Sequence, residues 1–166
     1  MSAVRQPEWD AARTAADNAR RELPALVESY FDFMRQELKK DPPPARLHPL
    51  RLATKRLRYT LELFRPCYSR GLEARLEALQ TLQKHLGDVN DCVATWDLLK
   101  KKMRRSAERT KVRKSLDRRA AKHARAFRKA WRDFFEASTR QEWWTAYFAR
   151  GAKDGRPSTT PTRPRA

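Results

Sequence analysis

Residues 47–64 of the chain read LHPLRLATKRLRYTLELF, and this stretch indicates the fold most directly. Its apolar side chains recur at intervals of three, four and seven residues, at Leu47, Leu50, Leu57, Leu61 and Phe64. That spacing places them on one face of an α-helix. A second stretch, LEALQTLQKHL over 76–86, repeats the pattern with leucine at 76, 79, 82 and 86. Both stretches predict amphipathic helices that must bury an apolar face against other elements.

The rest of the chain also favours helices over strands. Only four of the 166 residues are glycine, and no Asn-Gly or Asp-Gly dipeptide occurs between residues 9 and 149. Strand hairpins depend on such turns, so a strand-rich fold is disfavoured. We predict an all-α fold, an antiparallel bundle of about four to five helices. The predicted helices run over about 8–39, 47–64, 72–86, 88–105 and 112–137, with a short aromatic piece at 143–148.

Single residues decide three details of this assignment. Pro24 is expected to kink the first helix or to divide it in two. Gly87 is expected to end the third helix in a left-handed conformation, with Asp88 as the N-cap of the fourth. The predicted core face of the last long helix continues from Trp131 to Phe134.

Composition divides the chain into one folded region and two ends. We predict an N-terminal tail over 1–8, a helical bundle over 9–149 and a disordered basic tail over 150–166. Cys67 and Cys92 are too few for a disulfide framework or a cysteine-rich zinc site. No apolar run approaches the ~20 residues of a membrane-spanning helix, so no membrane insertion is expected. The N-terminus lacks the apolar stretch of a secretory signal, and we expect a cytoplasmic protein.

The chain is strongly basic. Its 38 Lys and Arg residues against 20 Asp and Glu residues leave a net charge of +18. Such an excess opposes compaction by self-repulsion, so we expect a polyanionic partner. Nucleic acid, an acidic membrane face and another polyphosphate are the candidates. The charge is concentrated between Lys100 and Arg132, where sixteen basic residues accompany two acids.

Two helical lines of basic residues are the candidate binding groups. A line about 15 Å long on the second predicted helix holds His48, Arg51, Lys55 and Arg58. A line on the last long helix, opposite its apolar face, holds Arg118, Lys122, Arg125, Lys129 and Arg132. Like charges at this spacing destabilise a helix, and almost no acids are interleaved to offset them. An anionic ligand therefore explains these lines better than a merely solvated face does.

Polar residues around Gly87 extend this surface, namely Gln80, Lys84, Asp88 and Asp91. We expect the two aspartates to cap the fourth predicted helix and to hold nearby basic side chains extended. The alternative is ligation of Mg²⁺ or Ca²⁺ by Asp88, Asn90 and Asp91. Two carboxylates amid strong positive charge make a poor site for these ions, so neither a metal nor a cofactor is expected.

The stretches over 47–64 and 76–94, in that order and separation, resemble the CHAD family of all-helical domains. The resemblance rests on the basic line from His48 to Arg58 with Tyr59, on the sequence LGDVND at 86–91, and on a last helix ending ARAFRKAWRDFF. It implies binding of inorganic polyphosphate and association with bacterial polyphosphate granules. Its motifs nominate as binding residues His48, Arg51, Lys55, Arg56, Arg58 and Lys84. The basic line of the last long helix, with the weaker similarity there, adds Arg125, Arg128, Lys129 and Arg132.

The chain departs from the family in one respect. The family's domain has two similar bundles, each with its own His-Arg helix, whereas this chain has one such helix and resembles the C-terminal half alone. Either one bundle is sufficient for binding, or two chains pair as a homodimer that rebuilds the two-bundle arrangement.

Three classes of function can be compared. Polyphosphate binding is favoured. A nonspecific nucleic-acid-binding protein is the alternative, although neither a helix-turn-helix signature nor zinc-finger spacing is present. An enzyme acting on a phosphorylated substrate is disfavoured, because no spacing typical of a catalytic pair links the candidates His48, His85, His123, Cys67 and Cys92. We expect no catalytic residue and no enzymatic activity.

Overall fold

The computed structural model describes residues 4–68, 71–137 and 139–152. Within these ranges the chain forms five α-helices and no β-strand, which confirms the predicted all-α fold. The helices are α1 (Ala15–Lys39), α2 (His48–Leu63), α3 (Gly71–Lys102), α4 (Ala107–Trp131) and α5 (Arg140–Gly151). The 3₁₀ turns Pro44–Arg46 and Arg65–Cys67 flank α2. Most of the predicted basic tail lies outside the described residues.

The first helix begins at a side-chain cap that the sequence analysis overlooked. Thr14 Oγ1 accepts a hydrogen bond from Asp17 N at 3.1 Å, so α1 starts at Ala15 and not near residue 8. The preceding segment lies along α1, where Arg5 N donates a 2.8 Å hydrogen bond to Ser29 Oγ. Pro24 lies inside α1, which is one helix and is not divided there.

The third helix is continuous where the sequence predicted two helices. α3 runs through Gly87, so this residue is not a C-cap and Asp88 is not an N-cap. Glycine inside a helix costs about 1 kcal/mol relative to alanine. Leu86 and Val89 are buried on either side of it, and burial of one such side chain contributes about 1.5–3 kcal/mol. Tertiary packing therefore outweighs the local signal for a break.

The end of α4 corrects the predicted core. A π-helical turn, Arg132–Glu136, follows Trp131. The wider turn brings Phe135 onto Trp131 in a stacked contact with ring centroids 4.9 Å apart. Phe134, which was predicted to be buried, is 45% exposed, whereas Phe135 is completely buried.

Two features of the helix packing position the site: α3 lies between α2 and α4, and an aromatic core joins other helices. α3 packs against α2 and against α4, and α1 packs against α2 and α5. All five apolar residues predicted for the second helix, from Leu47 to Phe64, are buried. An aromatic cluster joins α1, α4 and α5 through Phe31, Trp131, Phe135 and Trp144. This packing holds α3 with α2 along one flank and α4 along the other.

Candidate functional site

The basic line of α2 lies along the boundary between α2 and α3. At one end, His48 Nδ1 donates a hydrogen bond to Asn90 Oδ1 over 2.9 Å. Ten residues further on, Arg58 Nε donates to Gln83 Oε1 over 2.8 Å. Both amide side chains belong to α3. The two ends of the line are therefore held against the same neighbouring helix, and a ligand about 15 Å long lying along this boundary would reach both.

Arg51 and Lys55 occupy the middle of that line and are half-buried. Arg51 Nε is buried, and no residue in the described part of the chain accepts a hydrogen bond from it. Lys55 Nζ lies 5.4 Å from the ring centroid of Tyr59, and the Arg58 guanidinium lies 4.5 Å from the same centroid. Tyr59 thus holds two cations close together by cation–π attraction. The unpartnered Arg51 Nε leaves a buried donor without an acceptor, and such a group is expected to find one.

Arg58 is held more firmly than its neighbours. Its Nη1 donates to Glu62 Oε1 one turn later on α2, in addition to the bond from Nε to Gln83. Two of its five donor hydrogens are therefore engaged within the protein, and the planar group is fixed in direction. Arg56, by contrast, is exposed on the outer side of α2.

A depression of about 370 Å³ lies on the surface of α3 beside Arg58. It is lined by Arg58, Gln80, Gln83, Lys84, Gly87, Asp88 and Asp91. A methyl group added at Gly87 would meet no atom within 4 Å, so this stretch of helix backbone is open on that side. Two carboxylates share the depression with two cations. The electrostatic attraction for an anion is therefore stronger along the α2–α3 boundary than in the middle of the depression.

The basic residues of α4 do not join this group. Arg128 Nη2 donates to Asp41 Oδ1 and to the Pro42 carbonyl, each at 2.8 Å, in the segment between α1 and α2. Lys129 pairs with Asp133 at 2.5 Å. Arg125 and Arg132 are exposed. The predicted site residues consequently comprise one group at the α2–α3 boundary with Lys84 and a set on α4, in which Arg128 and Lys129 are already engaged within the protein.

A third polar group joins α3 to α4. His123 Nδ1 lies 3.1 Å from Asp88 Oδ2, and His85 is one turn from Asp88 on α3. Burial, with a smaller contribution from His123, lowers the pKa of His85, and Asp88 opposes that shift. Sequence reasoning missed this cluster because 35 residues separate Asp88 from His123. The one local signal was the i, i+3 spacing of His85 and Asp88, which puts both on one face of a helix.

Comparison with known proteins gives one family. The model of the CHAD domain matches residues 2–100, which include all of α1 and α2 and nearly all of α3. No curated protein and no solved structure matches the chain. Within the described residues, no helix combines the length and the apolar character needed to cross a membrane.

Proposed function

Because the chain belongs to the CHAD domain family, whose members are associated with polyphosphate, we propose that it binds inorganic polyphosphate. The proposed contact surface is the α2–α3 boundary, with His48, Arg51, Lys55, Arg58 and Lys84. All five residues lie within the range that the family model matches. Arg56 is a peripheral contact on the exposed side of α2.

The observation that carries the proposal is the unpartnered donor of Arg51 between two anchored neighbours. Its Nε is buried without an acceptor, while His48 and Arg58 on either side already bond to α3. Non-bridging phosphate oxygens are strong acceptors for the forked donors of arginine, and an ammonium such as that of Lys55 adds a point charge. A linear phosphate chain along this boundary would satisfy the orphaned donor once the half-buried Arg51 side chain turns outward, and it would neutralise adjacent cations.

Counterion release supplies the driving force. A polyanion that lies along several Lys and Arg side chains sheds condensed cations, so its affinity falls steeply as salt rises. For about six phosphate contacts, the logarithm of the affinity should fall by several units per tenfold rise in salt, by analogy with DNA. A small anion such as orthophosphate has no condensed counterions to release, so it should bind far more weakly.

The decisive experiment compares two variants that each lose one positive charge. Arg51→Ala removes the central donor, and Arg13→Ala removes an exposed guanidinium near the N-terminus, paired with Asp10. We expect Arg51→Ala to weaken binding of long-chain polyphosphate by about tenfold or more, the equivalent of one charge-assisted hydrogen bond. Arg13→Ala should change the affinity by less than about twofold, because exposed ion pairs contribute little.

Titrations at several salt concentrations distinguish the site from general basicity. An equal effect of Arg51→Ala and Arg13→Ala would show that only net charge matters and would remove the assigned surface. Circular dichroism of both variants shows whether the helices are intact, so that a loss of binding can be attributed to the side chain.

Nonspecific nucleic-acid binding is the second candidate, and a basic and aromatic group where α4 meets α3 favours it. The side chains of Arg109 and Arg113 lie 5.6 and 5.7 Å from the Trp96 ring, within the stretch of sixteen basic residues. An aromatic ring among arginines suits a single-stranded nucleic acid. Competition separates the two functions: polyphosphate should displace a labelled oligonucleotide at far lower charge equivalents than the oligonucleotide needs to displace polyphosphate.

Homodimerisation would rebuild a two-bundle arrangement, and it remains part of the proposal. Three exposed apolar side chains, Leu52, Tyr59 and Leu63, follow α2 on the side away from the core, next to the basic line. A second copy seated there would bring two basic lines together. Light scattering of the free protein and of its polyphosphate complex tests this, and a monomer in both states would exclude it.

The remaining expectations concern activity and location. We propose a binding protein without turnover, located in the cytoplasm and at polyphosphate granules. Phosphate release from polyphosphate, measured with and without Mg²⁺, tests the first point. Fluorescence microscopy of a tagged chain in cells that accumulate granules tests the second.

A further inference from the structure

A cluster of three ionisable side chains lies where α3 meets α4. His85, Asp88 and His123 each offer one nitrogen or oxygen atom, and these three atoms lie within 4.8 Å of one another. All three side chains are half-buried. The cluster faces α4, whereas Asn90, two residues after Asp88, is bonded to His48 of α2. The cluster therefore faces a different helix from the basic line of α2, although Asp88 also lines the depression beside Arg58.

Hydrogen bonding within the protein does not account for the whole cluster. His123 Nδ1 and Asp88 Oδ2 form one contact, at 3.1 Å. His85 Nδ1 is buried and has no hydrogen-bond partner among the described residues. A buried polar atom without a protein partner requires an explanation, and a bound ion is one such explanation.

We propose that His85, Asp88 and His123 bind a divalent transition-metal ion, Zn²⁺ in the first instance, and that the ion links α3 to α4. Two imidazoles and one carboxylate form a common ligand set for Zn²⁺. Three protein ligands leave a fourth position for water or a phosphate oxygen. The proposal goes beyond polyphosphate binding and does not depend on it.

The spacing of the ligand atoms suits that ion. Tetrahedral Zn²⁺ with bonds of about 2.0–2.1 Å places its ligands about 3.3 Å apart. The Asp88–His123 pair is already at 3.1 Å, and the other separations, at most 4.8 Å, require only side-chain rotation. Two ligands are a turn apart on one helix and the third is on the packed neighbour, so the backbone already holds the three donors on facing surfaces.

The donor types distinguish Zn²⁺ from the hard cations. Mg²⁺ and Ca²⁺ prefer oxygen ligands in larger numbers, whereas imidazole nitrogen suits Zn²⁺, Co²⁺, Ni²⁺ and Cu²⁺. The oxygen set considered from the sequence, Asp88, Asn90 and Asp91, is not assembled. Asn90 is engaged towards α2, and Asp88 is engaged towards α4.

The experiment titrates untagged full-length protein with Zn²⁺ in phosphate-free buffer, in competition with a chromophoric chelator. We expect one Zn²⁺ per chain. His123→Ala and Asp88→Asn should each weaken the affinity at least as much as the ~10–100-fold loss that follows removal of a group merely supporting a ligand. His48→Ala is the matched control, since it removes the one histidine outside the cluster, and it should leave the Zn²⁺ affinity unchanged.

Two further measurements cover variants that fail to fold. Co²⁺ bound to the wild-type protein should give the intense visible absorption of a tetrahedral site with nitrogen ligands. In NMR spectra of the wild-type protein, Zn²⁺ should shift the imidazole signals of His85 and His123 and leave those of His48 in place. No saturable Zn²⁺ binding, or an equal effect of His48→Ala and His123→Ala, would overturn the proposal.

Discussion

Two helical glycines show how the same residue type meets different surroundings. A Cβ at Gly87 would meet no atom within 4 Å, whereas a Cβ at Gly71 would lie 2.8 Å from Tyr147 Cε2. The Tyr147 ring cannot easily move aside, because the Arg75 guanidinium lies 3.7 Å from its centroid and Tyr68 packs against it. Gly71 is therefore required by a close contact, whereas no contact within residues 4–68, 71–137 and 139–152 requires Gly87.

We therefore expect opposite effects of alanine at these two positions. Gly87→Ala should raise the free energy of unfolding by about 0.5–1 kcal/mol, because alanine has the higher helix propensity. Gly71→Ala should lower it by about 1–2 kcal/mol through overpacking. Urea unfolding followed by circular dichroism measures both. Destabilisation by Gly87→Ala would contradict the continuous, open α3 described here.

At the scale of elements, α5 is attached to α3 through a buried arginine. Arg75 is 2% exposed, and its guanidinium lies 3.4 Å from the Trp143 ring centroid and 3.7 Å from that of Tyr147. It donates hydrogen bonds to the carbonyls of Gly71 and Trp143. Burial lowers the pKa of Arg75 to about 10. Stacking between two aromatic faces and bonding to carbonyls replace the carboxylate that usually accompanies a buried cation.

The prediction for this element compares Arg75→Lys with Arg75→Ala. Arg75→Lys keeps the charge but loses the planar stacking and the forked donors, so we expect a loss of about 1–2 kcal/mol. Arg75→Ala also leaves a cavity between the rings and should cost about 2–4 kcal/mol. Thermal unfolding measures both losses. The exposed Arg140→Ala, near the same tryptophan, is the control and should change little. Similar stability of all three variants would show that α5 docks without this arginine.

The sequence wrongly predicted that a helix ends at Gly87, whereas α3 continues through this residue. Gly87 followed by Asp88 has the local signature of one helix ending and another beginning. The local preference for a break at this position competes with the free energy gained by burying the leucines and the valine before and after it. Only the packing of α2 and α4 on α3 shows that burial contributes more. Phe134 and Phe135 present the same difficulty. They lie three and four residues after Trp131, and both of these spacings place a residue near the Trp131 face of a helix.

For the whole molecule, the net charge of +18 makes stability depend on salt. Repulsion among like charges extends over about 30 Å at 0.01 M salt and about 8 Å at 0.15 M salt. We expect added KCl to raise Tm by several degrees over this range, on the order of 1–2 kcal/mol of stabilisation. Thermal unfolding at a series of KCl concentrations measures it.

A charge-reversal variant serves as the control for that experiment. Arg118 and Lys122 are exposed on α4 and are not among the residues of the proposed polyphosphate surface. Arg118→Glu with Lys122→Glu should give a higher Tm than the wild-type protein at low salt and a smaller rise with KCl. A Tm that falls as KCl is added would mean that ion pairs, and not repulsion, dominate the electrostatics of the fold.

The sequence by itself determined the all-α fold, the apolar face of α2 and the basic line beside it, because helical periodicity is a local property of the chain. It also identified Lys84 as a companion of that line. Only the tertiary structure decided that α3 is one helix, that Arg128 bonds to Asp41 and Pro42, and that His123 meets His85 and Asp88. These outcomes depend on contacts between residues 35 or more positions apart, or on packing strong enough to outweigh a local signal, and neither can be read from spacing along one helix.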